Sequence, residues 1–127
     1  MKVMLVAPYF PPEVTGSSNF VADLAQGLVH AGNEVMVVTA NENASLSNEY
    51  QVEVLPARRV KPGRIAFNYT IPVVAGRRNS ARLSSLMDSF RPDIVSVHGQ
   101  IFDITIMAAR MAHKRGIPTT MTVHSAI

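Results

Sequence analysis

Val3 to Ala7 is an unbroken apolar run that ends at Pro8. A run without polar alternation is the pattern of a strand buried on both faces, as in a parallel sheet. Tyr9-Phe-Pro-Pro-Glu-Val-Thr-Gly16 follows, punctuated as a loop by its prolines and glycine. Ser17, Ser18 and Asn19 offer the side chains that cap helix N-termini. Phe20, Leu24 and Leu28 then recur at every fourth position, with Val21, Ala25 and Val29 beside them, which predicts one apolar helical face. Gly32 stands where a helix-ending glycine belongs. Glu34-Val-Met-Val-Val-Thr39 reads as a second buried strand, so residues 2–39 predict a βαβ unit with a right-handed crossover.

Further along, Asn41 to Asn48 is polar and turn-like, and Val52 to Leu55 is a short strand closed by Pro56. Arg58 to Gly76 has little periodicity and reads mostly as loop, with a turn at Pro62-Gly63. Asn79 to Phe90 predicts a helix with Leu83, Leu86, Met87 and Phe90 on one side, leading through Pro92-Asp93 into a strand at Ile94 to Val97. Ile104 to Lys114 is a further helix, with Asp103 as its cap and Gly116 as its stop, and Ile117 to His124 is the last strand. Alternating β and α elements predict a doubly wound, Rossmann-like parallel sheet. About three helices for five strands leave one face thinly covered, and the expectation is a single truncated domain over residues 1–127.

Composition narrows the setting. At 47% hydrophobic and 17% charged residues the chain can bury a core. The absence of cysteine excludes a disulfide framework and thiolate metal sites, in keeping with a cytoplasmic protein. Seven of the twelve Lys and Arg (Arg58, Arg59, Lys61, Arg64, Arg77, Arg78 and Arg82) lie in a stretch that holds no Asp or Glu between Glu53 and Asp88. Such a segment concentrates phosphate-bearing partners and suits peripheral contact with an anionic membrane at its inner face. A solvated loop and helix face accounts for it equally well.

Ligands of open α/β sheets bind beyond the C-terminal ends of the strands. Here that edge takes in Tyr9 to Ser18, Thr39 to Asn43, His98 to Gln100 and His124-Ser125. A loop with Gly16 at a helix start can turn free backbone N–H groups and the helix dipole toward a phosphate or carboxylate, although Gly16 also simply permits a turn. His98 and His124 each end a predicted strand, where an imidazole can donate a hydrogen bond or shuttle a proton. Taken singly each is an ordinary edge histidine, and the pair makes the stronger case. His30 and His113 lie near helix ends and read as surface residues. No third ligand suggests zinc, and the dinucleotide-binding, P-loop and nucleophile-elbow motifs are missing.

Lys2-Val-Met-Leu-Val-Ala-Pro-Tyr-Phe-Pro-Pro-Glu-Val-Thr-Gly16 and His30-Ala-Gly-Asn-Glu-Val-Met-Val-Val-Thr39 are followed in order by Arg91-Pro-Asp-Ile-Val-Ser-Val-His98 and Gly116-Ile-Pro-Thr-Thr-Met-Thr-Val-His124. Together these blocks resemble the N-terminal, acceptor-side domain of family 4 retaining glycosyltransferases with the GT-B fold. The resemblance implies two Rossmann-like domains around a cleft, a nucleotide-sugar donor, a sugar or lipid acceptor, and no metal or other cofactor. It places Gly16 and Ser17 at the donor phosphates, His98 at the transferred sugar as the catalytic residue, and Tyr9 and His124 at the acceptor. The chain departs from the family in having Gly16-Ser17 where Gly-Gly is common, and Ser96-x-His98 where His-x-His is common. Glu34 and Glu42 show the spacing of the family's Glu-x7-Glu, but a strand lies between them and the match is dismissed.

The resemblance thus implies a glycosyltransferase half that needs a C-terminal donor-binding domain or a partner chain, and that transfers nothing alone. The competing reading is a non-catalytic Rossmann-like binding or assembly module. Nucleic-acid binding rests on the basic segment alone, with no recognised motif, and no nucleic acid is expected as partner.

Overall fold

A computed structural model of the protein describes residues 1–12, 16–60, 71–99 and 102–123. His124, Lys61, Arg64 and Gln100 lie outside the described residues, as does the side chain of Ser17. The elements run β1 (Lys2–Ala7), α1 (Gly16–His30), β2 (Glu34–Thr39), β3 (Gln51–Val54), β4 (Arg58–Val60), β5 (Ile71–Val73), α2 (Arg77–Phe90), β6 (Ile94–His98), α3 (Asp103–Lys114) and β7 (Thr119–Thr122). Five strands form one sheet in the order β3-β2-β1-β6-β7, and every neighbouring pair is parallel. The doubly wound, Rossmann-like sheet predicted from the alternation is the fold.

The period of two along each strand divides the core between two faces. Met4, Val6, Met36, Val38, Val95 and Val97 point to one side, where Leu83, Met87 and Phe90 of α2 and Ile104, Ala108 and Ala112 of α3 cover them. Val3, Leu5, Ala7, Val35 and Val37 point to the other, where Val21 and Ala25 of α1 pack. Strands apolar at every position are therefore the direct consequence of helices on both faces. At the sheet's edge β7 is largely exposed, with Met121 at 50%.

Four local expectations are corrected. The stretch from Arg58 to Gly76 is not mostly loop: β4 and β5 pair antiparallel as a separate ribbon, with Arg58 opposite Val73 and Val60 opposite Ile71. Asp103 does not cap α3; Phe102 occupies the cap position with extended backbone and no side-chain capping bond. Instead the Asp103 carboxylate accepts hydrogen bonds from the backbone N–H of Val74 at 3.0 Å and Ala75 at 2.9 Å. Ser18 is not an N-cap but a fully buried residue inside the first turn of α1. Phe20, placed on the apolar face, is 47% exposed, because the contact with the sheet is made by Val21 and Ala25.

Candidate functional site at the C-terminal rim of the sheet

Because β1, β2 and β6 are parallel, the loops that leave Ala7, Thr39 and His98 all emerge at one edge. The loop after β1 is fixed there from beside: Asn41 Nδ2 donates to Phe10 O at 2.8 Å, and the Ser45 N–H donates to Pro11 O at 2.7 Å. Asn41 is itself buried, so an apolar setting leaves its amide few alternatives to this bond. Tyr9 is buried, and its ring meets Phe102 edge-on with centroids 5.4 Å apart.

His98 is the last residue of β6 and is 1% exposed. Ser96 and His98 lie on the same side of the strand, the side on which α1 packs, and Ser96 Oγ and His98 Nε2 share a hydrogen bond at 3.1 Å. The Phe20 ring, one turn into α1, is tilted against the imidazole with centroids 6.0 Å apart. Gly16 begins that helix, so about 6 Å along the axis separates the N-terminal N–H groups from the ring over His98. The loop–helix start and the histidine that the sequence singled out are thereby brought to one rim, on adjacent strands.

The turn after His98 explains how this is possible. Gly99 has φ +97°, and a Cβ there would lie 2.9 Å from the Phe102 ring. Its N–H donates to Thr122 O at 3.0 Å, while Thr105 Oγ1 donates to Gly99 O at 2.7 Å. Only a glycine turns sharply enough here while letting Phe102 reach Tyr9. Phe102, Phe20 and Thr105 were not legible as site residues, and Gly99 was legible only as a member of the His98 to Gln100 edge, without its role in the turn. A glycine directly after a strand-ending histidine was the available signal for that turn.

Electrostatic perturbation lies elsewhere. A hydrogen bond from Arg115 holds the Asp88 carboxyl below its ordinary value, and the same pairing raises Arg115. Burial pushes the Tyr50 hydroxyl above its ordinary value. His30, at the end of α1, is exposed and lies 3.4 Å from Glu49, and His113 is exposed on α3. Among the described residues no group of three His, Asp or Glu is placed to hold a metal.

A family model described as Glycosyltransferase Family 4 matches residues 14–127. The chain belongs to glycosyltransferase family 4. The match includes Gly16, Ser17, His98 and His124, whereas Tyr9 precedes it. No curated protein matches this family 4 chain in sequence. Among solved structures, a UDP-GlcNAc 2-epimerase from Neisseria meningitidis bound to UDP-GlcNAc superposes with a TM-score of 0.58 at 16% identity. The superposition covers 95% of this chain and 31% of that one, so the family 4 chain spans about a third of the epimerase's length. At that identity the likeness establishes the shared GT-B-like α/β fold, and the family match establishes the glycosyltransferase kinship.

Proposed function

We propose that this family 4 domain is the acceptor-side half of a glycosyltransferase, which transfers a sugar from a nucleotide-sugar to an acceptor with retention once a donor-binding domain completes the cleft. The observation that carries the proposal is the Phe20–His98 contact, which sets the N-terminus of α1 beside the end of β6 at the rim where open α/β sheets bind ligands. Gly16 and Ser17 would meet the donor diphosphate through backbone N–H groups and the helix dipole. His98 would face the transferred sugar, and Tyr9 and His124 the acceptor. In the reaction the bond from the anomeric carbon to the diphosphate oxygen breaks, and the acceptor oxygen bonds to the same face of that carbon. The acceptor's proton leaves with the diphosphate. Catalysis of this kind rests on positioning and on stabilising the leaving charge, which half a cleft does poorly. Residues 1–127 alone should therefore show no turnover.

Burial of His98 to 1% favours a second reading, in which the imidazole only braces the strand end of a non-catalytic binding module. His98→Ala separates the two in the complete protein with a nucleotide-sugar donor and an acceptor panel. A catalytic role predicts a fall in kcat of about a hundredfold or more with the fold intact. Ser96→Ala, which removes the partner of Nε2, predicts a smaller fall together with altered imidazole nitrogen shifts in NMR. Turnover unchanged by His98→Ala, or robust transfer by residues 1–127, would refute the proposal.

A further inference from the structure

The segment that follows Tyr9 has little means of holding itself. Pro11 and Pro12 carry no backbone N–H, so Phe10-Pro11-Pro12 has three carbonyls and a single N–H donor. The missing donors come from the turn after β2. Asn41 Nδ2 donates to Phe10 O at 2.8 Å, and the Ser45 N–H donates to Pro11 O at 2.7 Å. Two successive carbonyls of the β1 loop are thus held by one neighbouring turn.

Asn41 is arranged as a fixed donor. It is 4% exposed, and its other polar groups are committed within its own turn. Its N–H donates to Thr39 Oγ1 at 3.3 Å, its carbonyl accepts from the Ala44 N–H at 3.1 Å, and its Oδ1 accepts from the Asn43 N–H at 3.0 Å. The bond from Asn43 orients the amide, so that the NH2 is the group turned to the β1 loop. The residue before it is held as well: Arg59 Nη2 of β4 donates to Ala40 O at 3.4 Å, so the ribbon meets the rim beside Asn41. On the receiving side, Phe10 is 1% exposed and belongs to the core cluster of Ala7, Val21 and Val37, and Tyr9 directly before it is buried with its ring against Phe102. We propose that Asn41 is a positioning residue for the acceptor: by holding Phe10 O it fixes the stretch of chain that carries Tyr9, without touching substrate itself. This rests on the transferase reading, in which Tyr9 faces the acceptor. Asparagine suits the position because one short side chain must accept from its own turn and donate across to another.

Asn41→Asp separates the two roles of the side chain, since an ionised carboxylate still accepts from Asn43 but sets an acceptor against Phe10 O. In the complete protein at about pH 8, well above the ordinary carboxyl range, Asn41→Asp and Asn41→Ala are assayed with a nucleotide-sugar donor and an acceptor panel. Each should raise the acceptor KM about five- to tenfold, the scale of one buried hydrogen bond. The donor KM and kcat should stay within about twofold, the pattern of binding lost equally from ground and transition states. Asn48→Asp, which adds the same charge at an exposed position of that loop, should behave as the parent. In residues 1–127, where no turnover is needed, the NMR cross-peak between the Tyr9 and Phe102 rings should weaken in both Asn41 variants and persist in Asn48→Asp. Circular dichroism checks that each variant is folded. An unchanged acceptor KM in Asn41→Asp, or a ring cross-peak that survives both substitutions, would overturn the assignment. So would variants that lose stability while Tyr9 stays in place, which would make Asn41 structural only. A parent protein that transfers nothing would sink the transferase reading and the acceptor role with it, and the cross-peak would still decide whether Asn41 holds Tyr9.

Discussion

Asp103 ties the segment between β5 and α2 to the start of α3, and replacing it tests whether that tie holds the ribbon at the rim. Its carboxylate accepts from Val74 N at 3.0 and 3.2 Å and from Ala75 N at 2.9 Å. A hydrogen bond to a charged group contributes about 1.5–3 kcal/mol net. Val74 is 1% exposed, so in Asp103→Ala water cannot readily replace the lost acceptor, and this bond should count for about 2 kcal/mol. Ala75 is exposed, and water recovers most of its share. An acidic side chain in the first turn of α3 adds about 0.3–1 kcal/mol through the helix dipole. The expected loss is thus about 3 kcal/mol, equivalent to a Tm lower by roughly 10 °C for a domain of this size. Asp103→Asn keeps one acceptor oxygen and should lose about half as much. Urea unfolding of the three proteins at neutral pH measures this, with equal m-values confirming that the same cooperative unit unfolds. An Ala variant within about 0.5 kcal/mol of the parent would show that the tie contributes nothing, and the reasoning about the rim would lose its anchor.

Gly99→Ala should destabilise by about 1–3 kcal/mol, from a Cβ forced to φ +97° and to 2.9 Å from the Phe102 ring. Urea unfolding reads the loss, and a neutral result would mean that the turn relaxes freely. Tyr50 tests linkage: burial raises its pKa in the fold, so its contribution is complete below the unfolded value of 10.0 and is lost as pH rises through the folded value. Tyr50→Phe should flatten the alkaline arm of stability against pH above about pH 10, and an arm of unchanged slope would count against that cause.

How much of this was legible depended on the length of each pattern. The central strands carry uninterrupted apolar runs, because helices cover both faces, and their parallel pairing followed from the β–α alternation. The ribbon was invisible for the opposite reason. Arg58-Arg-Val60 is three exposed residues, and Ile71-Pro-Val73 has a proline at its centre, so neither presents a periodic face. Phe20 misled because a step of four residues drifts about 40° per repeat around a helix of 3.6 residues per turn, so Leu24 and Leu28 reach the core while Phe20 lies off the face. Val21 and Ala25, small enough for close approach, are the fully buried apolar residues of α1, and Leu24, Leu28 and Val29 pack beside them. Asp103 read as a cap because its partners lie 28 and 29 residues upstream, a distance no local rule reaches. At the rim, the strand-ending position of His98 was legible, while its bond to Ser96 required knowing which side of the sheet both residues occupy.

The departure at Ser96 and the burial of His98 belong to one physical problem. An imidazole enclosed to 1% exposure must have its polar atoms bonded, since an unmade hydrogen bond there costs more than a made one contributes. A serine hydroxyl two residues earlier on the same face supplies a partner for Nε2 while being small enough to leave the sheet surface open. The cover on the other side is Phe20, and Phe20 stands on the same helical turn that begins at Gly16. In the glycosyl-transfer reading, the group that binds the donor phosphate and the group that shields the histidine are therefore rigidly joined through hydrogen bonds of one helix. In that reading a displacement of the turn would move both, so phosphate capture and access to His98 would be a single mechanical event rather than two independent ones.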